Sequence, residues 1–123
     1  MKDALYRSLP VVSLETAITS HGLPYDQAIS TAKSLDGIIR APSGSSTGGA
    51  VPAVIGVIDG KIKIGLDERD IARLAETTEE REKWKIGKRD IGPALVAKVD
   101  GGTTVSATSF LSHLVGIDVF VTG

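Results

Sequence analysis

"VPAVIGVIDGKIKIGL", residues 51–66, decides how the chain is read. Asp59-Gly60 is a two-residue turn signal between two apolar runs, the pattern of a β-hairpin. The first arm carries Val54, Ile55, Val57 and Ile58 with little polar interruption, which predicts a strand buried on both faces. The second arm sets Ile62 and Ile64 against Lys61 and Lys63, the alternation of a half-exposed strand.

Upstream, Val12, Leu14, Thr16 and Ile18 share one face of an alternating segment, and Val11, Ser13, Glu15 and Ala17 share the other. A strand is expected over residues 11–18, broken by His21, Gly22 and Pro24. Glu15 is its anomaly, because a carboxylate in a dry strand is costly unless paired or used. The small side chains of Ser13 and Ala17 leave room beside it. Residues 24–40 read as a helix, with Pro24 at its first position and Asp26 near its positive end. Tyr25, Ala28, Ile29, Ala32, Leu35, Ile38 and Ile39 lie on its apolar stripe. Residues 41–49, "APSGSSTGG", lack the Gly-Lys-Ser/Thr ending of a phosphate-binding P-loop and read as a flexible Gly/Ser-rich connector.

Downstream, "DERDIARLAE" predicts a short helix with Asp67 as N-cap and Asp70 in the capping-box position. The charged run "TTEEREKWKIGKRD", residues 77–90, reads as a solvated segment around Trp84. Asp100-Gly101-Gly102 reads as a turn, after which Thr103 or Thr104 opens a helix that ends near Gly116. "DVFVTG" closes the chain as an apolar strand. Strands and helices that alternate in this way define an α/β fold.

Hydrophobic residues make up 41% of the 123 and charged residues 24%, so the chain has the composition of a globular protein with an aliphatic core. A net charge of −1 gives no basic footprint for polymeric nucleic acid or an anionic membrane. There is no cysteine, which excludes thiol nucleophiles and Cys-based zinc sites. No stretch reads as a secretory signal or a bilayer span, and the expected location is the cytoplasm.

Three features can carry chemistry. Glu15 reads either as a general acid or base or as a carboxylate paired at a strand end. Lys83, Lys85, Lys88 and Arg89 cluster around Trp84, as a phosphate contact or as plain surface. "DGGTTVSATS", residues 100–109, offers glycines, a helix start and the hydroxyls of Thr103, Thr104 and Ser106 to an anion. Its alternative is an ordinary Thr-capped helix. His21 reads as a turn residue and His113 as a cation suited to a helix C-terminus. The two histidines make a weak metal signal.

Four separated blocks carry more than any one of them: "PVVSLETAITSHGLPYDQAISTA", "GGAVPAVIGVIDGKIKIGL", "KRDI" and "GGTTVSATSFLSHLVGIDVFVTG". In this order they resemble the N-terminal portion of the pseudouridine-5′-phosphate glycosidases, the indigoidine synthase A-like family. The resemblance runs from about Leu9 to Gly123 and implies one domain of an α/β/α fold, here incomplete, that assembles as a homotrimer. It implies reversible cleavage of the C–C glycosidic bond of pseudouridine 5′-phosphate to uracil and ribose 5-phosphate. A lysine Schiff base and a divalent metal, typically Mn2+, take part. By the same resemblance Glu15 is the proton donor. Lys85 binds substrate, Val105 contributes a backbone contact, and Thr103 and Thr104 lie beside it.

Two departures stand out. The family usually has Glu-Ser-Thr where this chain has Glu15-Thr16-Ala17. The family's metal-binding aspartate and nucleophilic lysine follow a glycine-rich loop beyond the point matching Gly123. These residues alone are therefore expected to lack the nucleophile and the metal ligand and to be inactive. The alternative is a non-catalytic truncated fragment or a sugar-phosphate-binding module that uses "GGTTVSAT".

Overall fold

The structure, a computed structural model, describes residues 2–42 and 48–123. Residues 43–47 of the expected connector lie outside the described residues. A short helix α1 (Lys2–Tyr6) leads into β1 (Val11–Leu14) and α2 (Tyr25–Arg40). The hairpin β2 (Val51–Ile58) and β3 (Lys61–Ile64) follows, then α3 (Glu68–Ala75) and β4 (Lys83–Ile86). The chain continues through α4 (Ile91–Ala97), β5 (Asp100–Thr103), α5 (Val105–Leu114) and β6 (Val119–Val121).

The strands form one six-stranded mixed sheet in the order β4-β5-β2-β1-β6, with β3 also paired to β2. β1 runs parallel to both β2 and β6, and β4 parallel to β5. β5 pairs antiparallel with the second half of β2, at Gly56 and Val57. Helices cover both faces, because β2 is apolar on both. Ile55 and Val57 pack with Ile91, Ala94, Ala107 and Leu111 of α4 and α5. Val54 and Ile58 turn the other way, toward Leu66, Ile71 and Leu74 at α3. Gly56 lies between them, and a Cβ there would meet the Leu66 and Leu74 methyls at 2.9 and 3.2 Å.

The hairpin turn is as expected. Asp59 and Gly60 both have positive φ, +49° and +67°, the conformation a two-residue hairpin turn demands. An ion cluster fixes this turn to the rest of the sheet. Arg73 of α3 reaches buried Asp100 through Nε (2.6 Å) and Nη2 (2.9 Å) and also bonds Asp59. The Asp59 N–H donates to Asp100 at 2.8 Å. The capping box of α3 is present, with the Asp70 N–H donating to Asp67 at 2.9 Å.

Four expectations are corrected. Asp100-Gly101-Gly102 is not a turn but strand β5, buried throughout. Its glycines serve close packing, since a Cβ on Gly101 would lie 2.3 Å from Ile86 Cδ1. The segment read as solvated contains β4, whose Trp84 and Ile86 pack on the α4/α5 side. The strand expected over residues 11–18 ends at Leu14. Ser13, read as leaving space, is fully buried, with its Oγ 2.7 Å from that of Ser112.

Candidate active site

β1 is parallel to β2 and β5 is antiparallel to it, so β1 and β5 run toward each other and their carboxyl ends meet. The Thr16 N–H donates to the Thr103 carbonyl at 3.1 Å, and the Thr103 N–H donates to Thr16 Oγ1 at 2.9 Å. Both threonine hydroxyls donate to the Ile55 carbonyl of β2, at 2.6 and 2.8 Å. Open α/β sheets bind their ligands outside the carboxyl ends of strands.

Glu15 stands at this junction, immediately after β1, and is half-buried. Its Oε1 accepts a hydrogen bond of 2.5 Å from Thr122 Oγ1, just beyond β6. The sheet places this partner, because β6 lies parallel to β1 and ends beside it. Ala17 and a five-residue π-helical turn, Ile18–Gly22, follow Glu15. Single-turn π-helices are rare and recur at functional sites. Ser20 Oγ of this turn packs onto β5 so closely that a Cβ on Gly102 would lie 2.1 Å from it.

α5 begins directly beyond β5 at this junction. Thr104 is its N-cap residue but makes no side-chain capping bond. The Thr104 hydroxyl instead pairs with Ser106 Oγ at 3.2 Å. The first amides of the helix, from Val105 onward, are thus not capped by that side chain, and Val105 is exposed. Thr103 is different: it is fully buried, and its hydroxyl is engaged by Ile55 and Thr108 Oγ1.

The basic cluster around Trp84 divides. Lys83 Nζ donates to the Leu74 carbonyl at 3.1 Å, and burial holds its amine below the ordinary lysine value. Lys88 Nζ lies over the Phe110 ring, 4.6 Å from its centre. Lys85 is exposed, paired in register with Gly102, and makes no ion pair among the described residues. His113 is exposed in the last turn of α5. Thr122 and Ser20 had no signal in the sequence, since only the sheet topology brings them to Glu15 and β5. Among the described residues no three His, Asp or Glu side chains gather as a metal site. The described residues therefore offer no ligand set that fits a manganese ion.

The family profile described as "Indigoidine synthase A like protein" matches residues 1–123. The chain belongs to this family. Among its relatives, a pseudouridine-5′-phosphate glycosidase of Streptomyces griseus is 46% identical over all of this chain, which spans 35% of that protein. The Caldanaerobacter subterraneus enzyme of the same name is also 46% identical and is spanned to 37%; the Arabidopsis thaliana one is 42% identical and spanned to 35%. This chain thus spans little more than a third of these relatives, and it matches their N-terminal portion. The mixed α/β fold is shared with two solved structures. An indigoidine synthase A-like protein of Thermotoga maritima aligns with 95% of this chain and 37% of its own (TM-score 0.72, 38% identity). The prealnumycin C-glycosynthase, solved with ribulose 5-phosphate, aligns with 98% and 36% (TM-score 0.71, 36% identity).

Proposed function

We propose that this chain supplies the proton-transferring carboxylate and part of the sugar-phosphate contacts of a pseudouridine-5′-phosphate glycosidase. The reaction is reversible cleavage of the C–C glycosidic bond to uracil and ribose 5-phosphate. One observation carries the reading: Glu15 stands where the carboxyl ends of β1 and β5 converge, and α5 starts just beyond β5 with no side-chain cap from Thr104. When the glycosidic bond breaks, the departing uracil carbon must take a proton, and a positioned carboxylic acid at Glu15 supplies it. Val105 and Thr104 then offer a backbone N–H and a hydroxyl to the phosphate, with Lys85 as the cation beside them. Thr103 supports the start of α5 from within. The lysine that forms the Schiff base is assigned to the remaining length of the relatives.

The test is uracil release from pseudouridine 5′-phosphate by the protein that carries this chain. Glu15→Gln should lower kcat by about 10²–10⁴-fold while ribose 5-phosphate still binds. Undiminished turnover in that variant would remove Glu15 from the mechanism. A second reading, a sugar-phosphate-binding module, is favoured by the exposed Lys85 and the α5 start. It predicts calorimetric binding of ribose 5-phosphate with no uracil release.

A further inference from the structure

Glu15 and Lys85 belong to different parts of the chain, which the sheet joins through β5: Lys85 pairs with Gly102, and the Thr16 N–H donates to the Thr103 carbonyl. A second link between them runs through the 18–22 turn. His21 Nε2 lies 3.2 Å from the Lys83 carbonyl of β4, and Nδ1 lies 2.7 Å from Ser20 Oγ. A carbonyl only accepts, so the proton of a neutral ring belongs on Nε2. Nδ1 is then bare and accepts from the Ser20 hydroxyl. Both ring nitrogens are thus engaged, although the side chain is exposed.

The Nδ1 bond stays within the turn, and the Nε2 bond leaves it. Ser20 is tied back toward Glu15, since its N–H donates to the Thr16 carbonyl at 3.0 Å. Its Oγ sits over Gly102, where no Cβ is tolerated. His21 crosses to β4 at Lys83. Two residues further along that strand is Lys85, on the same face as Lys83 and opposite Trp84 and Ile86. Bonds this exposed add little to stability, because water replaces them at almost equal energy. Their effect is on geometry, and a displacement of about 1 Å near reacting groups can cost about 10²-fold in rate.

We propose that His21 is a positioning residue that clasps the turn following Glu15 to the strand carrying Lys85. The inference rests on the proposed glycosidase reading, and its test is chosen to fail separately. In the full protein, His21→Phe removes both ring nitrogens. It should lower kcat for uracil release by about 10–100-fold, with KM changed far less and the unfolding midpoint unmoved. His21→Gln, whose amide N–H₂ reaches the Nε2 position, should restore most of the rate. Unchanged kcat in His21→Phe, or a rate loss matched by loss of stability, overturns the clasp. If the unaltered protein releases no uracil, the glycosidase reading fails, and the clasp is judged by the ¹⁵N shifts of the His21 ring. The Nε2–H tautomer supports it and the Nδ1–H tautomer overturns it.

Discussion

Two backbone N–H groups join Thr16 and Thr103, one donating to a carbonyl at 3.1 Å and the other to a hydroxyl at 2.9 Å. Both side chains are fully buried and converge on one carbonyl, that of Ile55. Thr103→Val keeps the shape but strips Ile55 and Thr108 of a partner. Leaving buried polar groups unmatched costs about 1–3 kcal/mol, to be read as a lower urea midpoint at constant slope. Thr104→Val, one residue on and outside this buried cluster, should move the midpoint by about 0.5 kcal/mol or less. Equal effects at the two positions would contradict the distinction.

Thr122→Val tests the partner of Glu15. The hydroxyl that donates to Oε1 disappears while the β-branched shape stays. If that bond orients the carboxyl for proton transfer, its loss of about 1.4 kcal/mol lowers kcat about tenfold and leaves binding of ribose 5-phosphate intact. Thr122→Ser should retain most of the rate.

Gly102→Ala should be far more damaging than its single methyl suggests. The new Cβ would lie 2.1 Å from Ser20 Oγ and 2.5 Å from the Thr16 carbonyl oxygen. The hydroxyl can rotate away, but the Thr16 backbone cannot move without separating β1 from β5. Overpacking of this kind costs about 1–3 kcal/mol or more. Circular dichroism melts of Gly102→Ala against Gly92→Ala make the comparison, since nothing lies within 4 Å of a Cβ at Gly92.

The hairpin turn should give the protein an acid-side dependence. The hydrogen bond from Arg73 holds the Asp59 carboxyl below the ordinary aspartate value, with the nearby charges of Arg73, Arg81 and Lys61 acting in the same direction. In the unfolded chain the carboxyl returns to about 3.9. A depressed folded value means that this stabilisation is complete above about pH 4 and is lost as pH falls through the folded value. Asp67, lowered by the N–H of Asp70, adds to the same window. Urea midpoints measured from pH 6 down to pH 2 should fall less steeply for Asp59→Asn than for the unaltered protein. Parallel curves would show that the Arg73 contact is not coupled to folding.

What was legible locally was local in cause. The Asp59-Gly60 turn and the Asp67–Asp70 capping box each follow from residues within a few positions of one another, and the structure contains both. β5 was misread because Asp-Gly-Gly is also a turn signature. Its glycines answer to Ile86, Thr16 and Ser20, which lie far away in sequence. β4 was hidden by charge, since only Trp84 and Ile86 carry its apolar alternation. At the site, Glu15 stood out as a carboxylate out of place, but Thr122 did not. No spacing rule connects two residues that meet only because β6 lies beside β1.

That pairing also sets an order in time. Glu15 and Thr122 are 107 residues apart. A ribosome adding about 5–20 residues per second makes the carboxylate roughly 5–20 s before its hydroxyl partner exists. Throughout that interval the β1 edge that β6 will occupy stays open. The site therefore matures late in synthesis: its acid is made early, and it acquires its partner only when the strand beside it arrives.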